Sequence, residues 1–178
     1  VLHAVAGLVD VRALARLWRL SRTDFTAAAV ALAGVLLLGI LQGILLAALA
    51  SVLMLLVATG RPHVAFLGRI PGTAIFSDMA RHPDNQPVPG VLLFRPEGAV
   101  LYVSAESIAA AVLEKLDEQP EGSVRLVVCD LTASPLMDLA GVEMLRSLHD
   151  TLAERGLRLE LAGTLGRVRD LMRREGFA

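Results

Sequence analysis

Apolar residues fall along this chain in two regimes, one continuous and one periodic. From Phe25 to Gly60 no charged residue occurs; Asp24 is the last charge before the run, Arg61 the first after it, and Gln42 the one strongly polar side chain between them. A stretch so apolar predicts membrane helix. Drawn as one straight helix its 36 residues extend about 54 Å, against a hydrocarbon core of roughly 30 Å. Residues 25–60 therefore read either as one long tilted span or as two short helices that enter and return, a transmembrane or re-entrant hairpin. Arg12, Arg16, Arg19 and Arg22 precede the run, and Arg61 and Arg69 follow it. Because Lys and Arg collect on the cytoplasmic side, a hairpin with both flanks on one side fits better than a crossing. Gly34, Gly39 and Gly43 offer the break. The other reading makes Gly39-Ile40-Leu41-Gln42-Gly43 a small-residue packing face within a single span. A hairpin turn at membrane depth needs other protein to shield its backbone, which implies further helices.

Ahead of the run, Val11, Leu14 and Trp18 recur at helical spacing while Arg12, Arg16 and Arg19 lie toward the other side. Residues 1–24 thus predict an amphipathic helix and loop, seated at the headgroup layer or packed on the end of a bundle. The chain begins at Val1, within an apolar pattern, and reads as a piece of a longer protein.

After Arg61-Pro62 the pattern becomes periodic and the balance of charge changes, from +2 over residues 1–25 to −3 over 61–178. A domain boundary near 61 follows, and 61–178 is long enough for one core. Gly72, Pro83, Pro87, Pro89 and Gly90 mark 68–90 as linker and loop, with a short strand at Thr73–Phe76. Val91–Arg95 and Ala99–Val103 read as a hairpin turning at Pro96-Glu97-Gly98. Ser104 stands as N-cap to a helix carrying Ile108, Val112 and Leu116 that stops by Gly122. Val124–Leu131, interrupted only by Arg125 and Asp130, predicts the central strand, buried on both faces. Asp138 caps a helix with Val142, Leu145, Leu148 and Leu152 on one side, closed by Gly156. Leu157, Leu159 and Leu161 alternate with Arg158 and Glu160 as a half-buried strand, and a last helix runs from Thr164 with Val168 and Leu171 inside. The order predicts an α/β fold, parallel strands about Val124–Leu131 with helices covering mostly one face of the sheet.

Composition sharpens this picture mainly by exclusion. The 178 residues are 54% apolar and carry a net charge of −1, so no overall basic field holds nucleic acid. His3, His63, His82 and His149 are scattered outside any metal-ligand spacing, and Cys129, the single cysteine, sits in an apolar run as an inert core thiol. Dinucleotide, P-loop and nucleophile-elbow motifs are missing, so no cofactor and no enzyme activity is expected. Asp130 and Asp138 bracket a strand-to-helix loop, a place where α/β sheets carry function, though Asp138 also suits a plain helix cap. Arg167, Arg169, Arg173 and Arg174 form a basic cluster that meets phosphates or simply solvates a terminal helix.

The segment Val127 to Leu145, an apolar strand ending in Asp130, a loop, and then Asp138-Leu139-Ala140-Gly141 opening a helix, resembles the central motif of STAS domains. Joined to the glycine-spaced apolar run and Arg61-Pro62-His63, it resembles the C-terminal part of a sulfate permease (SulP) family anion transporter, from Val9 through Gly176. That resemblance implies membrane scaffold or gate helices followed by a cytoplasmic STAS domain, with a mixed sheet flanked by helices, at 61–178. It further implies an integral protein of the inner or plasma membrane, working as a secondary carrier of sulfate or a similar inorganic anion. Its partners are then the lipid bilayer and an upstream transmembrane domain of the same chain, with room for a homodimer. The anion site belongs upstream, so no substrate ligand is expected here, and the four motif residues Asp130, Asp138, Ala140 and Gly141 are structural or regulatory. In STAS proteins of the anti-sigma antagonist type a phosphorylatable serine precedes the motif glycine. Ala140 stands at that position and excludes the phosphate switch, while Ser104 and Ser134 have no assigned role. The family's STAS domain continues past its last helix, so truncation near Ala178 is expected. The alternative is a membrane-tethered STAS binding module of anti-sigma antagonist type that carries nothing.

Overall fold

The computed structural model describes residues 18–19 and 22–177. They belong to two units, Val1–Ala58 and Thr59–Ala178. In the first, α1 (Arg22–Leu38) and α2 (Ile40–Gly60, whose last two residues belong to the second unit) are separated by Gly39 alone. Its φ of +96° is a conformation that glycine enters without strain. Hydrogen bonds run through the break, from the Gly39 amide to the Val35 carbonyl at 3.2 Å and from the Gly43 amide to the Gly39 carbonyl at 2.9 Å. The chain doubles back so tightly that a Cβ at Gly34 would lie 3.4 Å from Gly43 Cα, and one at Gly43 would lie 2.5 Å from Val35 Cα. Glycine thus makes both the bend and the contact, and the single straight span is not formed. Among the described residues only Ile40–Val57 is long and apolar enough to cross a membrane, and the apolar part of α1, Ala28–Leu37, is shorter. The expected amphipathic helix at 1–24 lies mostly outside the described residues. Of it, Trp18 and Arg19 are helical, and Trp18 meets Phe25 edge-on at 4.8 Å with the Arg22 guanidinium 5.9 Å from its ring.

The second unit contains β1 (His63–Arg69), β2 (Phe76–Asp78), β3 (Gly90–Glu97), α3 (Tyr102–Asp117), β4 (Val124–Asp130), α4 (Leu139–Glu154), β5 (Arg158–Ala162) and α5 (Gly166–Arg174). The sheet runs β2-β1-β3-β4-β5. β1 is antiparallel to β2 and β3, whereas β3, β4 and β5 are mutually parallel and joined by the crossover helices α3 and α4. Registers Leu92↔Val127 and Phe94↔Cys129 put four buried side chains on one face. Ile108 and Val112 of α3, Leu145 and Leu152 of α4, and Val168 and Met172 of α5 complete a single core against that face, as expected for one-sided helical cover. Each such large side chain, fully withdrawn from water, contributes about 1.5–3 kcal/mol before the entropy of ordering it.

Five readings are corrected. β1 was not anticipated, because Ala65 and Leu67 are buried on one face of the sheet while Phe66 packs on the core at the other. Cover on both sides removes the alternation that marks a strand. The strand placed at Thr73–Phe76 is a turn leading into β2. There Gly72 has φ +76°, and the Thr73 hydroxyl donates to the Ile70 carbonyl at 3.0 Å while accepting from the Ile75 amide at 3.1 Å. The hairpin of Val91–Arg95 with Ala99–Val103 does not exist. β3 continues through Pro96 because its last residues pair with β1, and Val100 is buried with a single bridge to Met137. Leu101, not Ser104, is the N-cap of α3; Ser104 caps from inside the first turn, its hydroxyl accepting from the Leu101 amide at 3.0 Å. Val124–Leu131, expected to be the central strand and buried on both faces, is an interior strand ending at Asp130, and β3 holds the middle of the sheet. Within β4 only Val127 and Cys129, on the helix-covered face, are buried, while Leu126 and Val128 on the other face are half-buried.

Candidate functional site

The loop after β4 and the opening of α4 form a framework built on two carboxylates. Asp130 ends β4, with its side chain on the sheet face opposite the helices. One oxygen, Oδ2, accepts from Arg95 Nε at 2.8 Å and from Arg95 Nη2 at 2.6 Å, and Oδ1 accepts from the Thr132 amide at 3.0 Å. Burial works to raise the Asp130 pKa, but the hydrogen bonds from the Thr132 amide and hydroxyl and the Arg95 guanidinium outweigh it and hold the pKa below the ordinary carboxylate value. Gly163 closes this corner at φ +67°, where a Cβ would stand 3.0 Å from Asp130 Oδ1.

Asp138 does more than cap its own helix. Its Oδ1 accepts from the Gly141 amide at 2.9 Å, and its Oδ2 accepts from the Tyr102 amide, at the first turn of α3, also at 2.9 Å. One carboxylate therefore satisfies otherwise orphan donors on two neighbouring helix N-termini, where the helix dipoles favour negative charge. Gly141 permits the close packing that this requires: a Cβ there would lie 2.6 Å from the Val100 carbonyl oxygen and 2.8 Å from Met137 Cγ. The Val100 amide and carbonyl bond in turn to the Leu136 carbonyl and the Asp138 amide, stitching the α3 entry to the motif loop.

Asp130 and Asp138 thus have separate partners and do not share a site. Ala140 is half-buried beside a groove between α3 and α4. Ser134 is buried and donates to the Pro96 carbonyl at 3.1 Å, and Ser104 is held at the α3 cap, so both hydroxyls are spent on the scaffold. The Cys129 thiol is buried, and its pKa is pushed up by that burial. Arg167, Arg169, Arg173 and Arg174 are all exposed, and Arg169 turns back to the Thr164 carbonyl at 2.9 Å. Among the described residues no cluster of His, Cys, Asp or Glu has the makings of a metal site. His3 lies outside them.

Sequence reasoning missed the partners rather than the motif. Arg95 and Asp130 are 35 residues apart, and nothing local announces their pairing. It also missed a cluster at the start of β1, where His63 Nε2 lies 3.1 Å from Asp78 Oδ2 and Arg81 reaches both Asp78 and Glu97. Ser107 was missed as well; its hydroxyl donates to the carbonyl of Gly60, the last residue of α2, at 2.8 Å.

This framework of strand, Asp130, loop, and Asp-x-x-Gly at a helix start defines the class. The family model described as the STAS domain matches residues 82–178, more than half of the chain, and the chain belongs to that family. Among curated proteins it is similar to Sulfate transporter 2.1 of Arabidopsis thaliana, 31% identical over 169 residues, covering 89% of this chain and 25% of the relative. Low affinity sulfate transporter 3 of Stylosanthes hamata is 31% identical over 170 residues, covering 90% of this chain and 26% of the relative. The chain therefore spans about a quarter of the length of these relatives. In fold it matches the murine Solute Carrier 26 family member A9 anion transporter in its inward-facing state, with a TM-score of 0.78 and 19% identity over 89% of this chain and 25% of that one.

Proposed function

We propose that this chain is the C-terminal part of a secondary anion transporter of the sulfate type. In this reading α1 and α2 lie in the membrane as scaffold or gate helices, and the STAS domain hangs in the cytoplasm as a regulatory or dimerising module. The carrying observation is the extent of the similarity to sulfate transporters, which covers 89–90% of the chain and so takes in the apolar helix pair together with the STAS domain. Exposed leucines and isoleucines on α2 support a membrane or protein surround for the pair, since water does not stabilise such a surface. The motif residues support a structural role, because Asp138 and Gly141 are committed to holding two helix starts together. The anion site falls to upstream helices, and sulfate is the cargo. A tethered binding module of the anti-sigma antagonist type is the weaker reading, since Ala140 offers no hydroxyl to phosphorylate. The test is labelled sulfate uptake by vesicles holding the complete protein. Saturable uptake above empty vesicles is expected, and absence of transport of sulfate, bicarbonate, chloride and dicarboxylate alike overturns the proposal.

A further inference from the structure

We propose that the groove between α3 and α4 is the docking site for a cationic amphipathic helix of a partner protein. The groove encloses about 560 Å³, and its lining includes Ala105, Ala109, Ala140 and Met144 together with Glu106 and Glu143. The alanines and Met144 are buried or half-buried while both glutamates are exposed, which makes an apolar trench with an acidic residue contributed by each helix. Small side chains in the trench let a helix ridge approach closely. Among the described residues of the second unit six large apolar side chains are exposed; four of them, Tyr102, Val103, Leu136 and Leu139, lie in or just before the first turns of these two helices, and Tyr102 and Val103 line the groove itself. Concentration of apolar surface at one place marks a docking surface.

Charge selects the occupant. Among the described residues neither Glu106 nor Glu143 is in an ion pair; the carboxylates that are paired are Asp78, Glu97, Asp117, Glu118, Asp130 and Asp150. A second copy docked face to face gathers four like-charged carboxylates at one interface, and an anionic bilayer surface is repelled by the same pair. A helix whose apolar stripe is flanked by Lys and Arg places its apolar side chains in the trench and a cation against each glutamate. Ala140 presents a methyl where a polar side chain would interrupt the trench.

The test uses the full chain in nanodiscs of phosphatidylcholine, with empty nanodiscs as the blank. The probes are a fluorescent leucine-lysine peptide of helical period and its leucine-glutamate counterpart. The leucine-lysine peptide is expected to bind above the blank. The surface double variant E106K/E143K is expected to weaken it about tenfold or more and to admit the leucine-glutamate peptide. Ser147→Trp, an exposed groove position, is expected to weaken binding with both glutamates intact. Binding no stronger than the blank, equal binding to wild type and E106K/E143K, or equal binding of both peptides to wild type overturns the proposal. A dimer in sedimentation that E106K/E143K abolishes overturns it too, and assigns the groove to a second copy.

Discussion

The helix pair and the STAS unit spend their apolar residues in opposite directions. In the STAS unit Phe94, Ile108, Leu131, Leu145 and Leu152 are withdrawn from solvent and surround one core. In the pair, Leu37, Ile40, Leu41, Leu45 and Val57 point outward, with Leu37 82% exposed, and close contact between the helices is made by Gly34, Gly43 and Val35. The same residue type therefore supports two kinds of stability. In the STAS unit a leucine stabilises by leaving water, while in the pair it has to be met by lipid or by other helices, and glycine supplies the internal contact.

The largest effect that sharpens this contrast comes from the core. Leu145→Ala should cost the STAS unit about 2–5 kcal/mol, read as a lower midpoint in denaturant, whereas Leu45→Ala in α2 should leave that midpoint unchanged. If Leu45→Ala unfolds the STAS unit equally, the two regions are not distinct. Gly141→Val comes next: its side chain meets the Val100 carbonyl at once, and a loss of about 3 kcal/mol or more is expected by the same measurement. In the pair, Gly43→Leu should spread α1 from α2 without moving the STAS midpoint, which spin labels at Val30 and Leu46 would report as a longer distance.

Asp138→Ala frees two amides at once and should cost about 1–3 kcal/mol, with faster hydrogen exchange at both Tyr102 and Gly141. Exchange that rises only at Gly141 would make Asp138 an ordinary cap. The smallest effect is a matter of pH. The folded pKa of Asp130 lies below its unfolded value, so its stabilisation is present above the ordinary carboxylate range and is lost as pH falls through the folded pKa. Arg95→Met should flatten the acid limb of stability against pH, and an unchanged limb would show that the pair adds nothing there.

What the sequence made legible was local. Asp138 as a cap, Gly141 beside it, the closing Gly156 with φ +74°, and the helical spacing of Val142, Leu145, Leu148 and Leu152 all express physics within one helix. The break at Gly39 belongs to the same category, whereas the close approach of Gly34 and Gly43 across it does not. Readings failed where distant chain decides. Pairing with β1 carried β3 past Arg95, and burial on both faces hid β1 itself. The Tyr102 amide on Asp138 lies 36 residues upstream of it, and Arg95 lies 35 from Asp130, so the site's partners were invisible although its motif was plain.

The functional reading requires the outward apolar surface of the helix pair to face lipid or other protein rather than water. Spin labels placed singly at Leu37, Leu45, Leu53 and Val57 of the complete protein in liposomes test it directly, with relaxation by oxygen and by a water-soluble nickel complex as the readouts. The account predicts that all four positions are closed to nickel, and that any position open to a relaxant is open to oxygen. Free access of nickel at these positions would place the pair in water and contradict it.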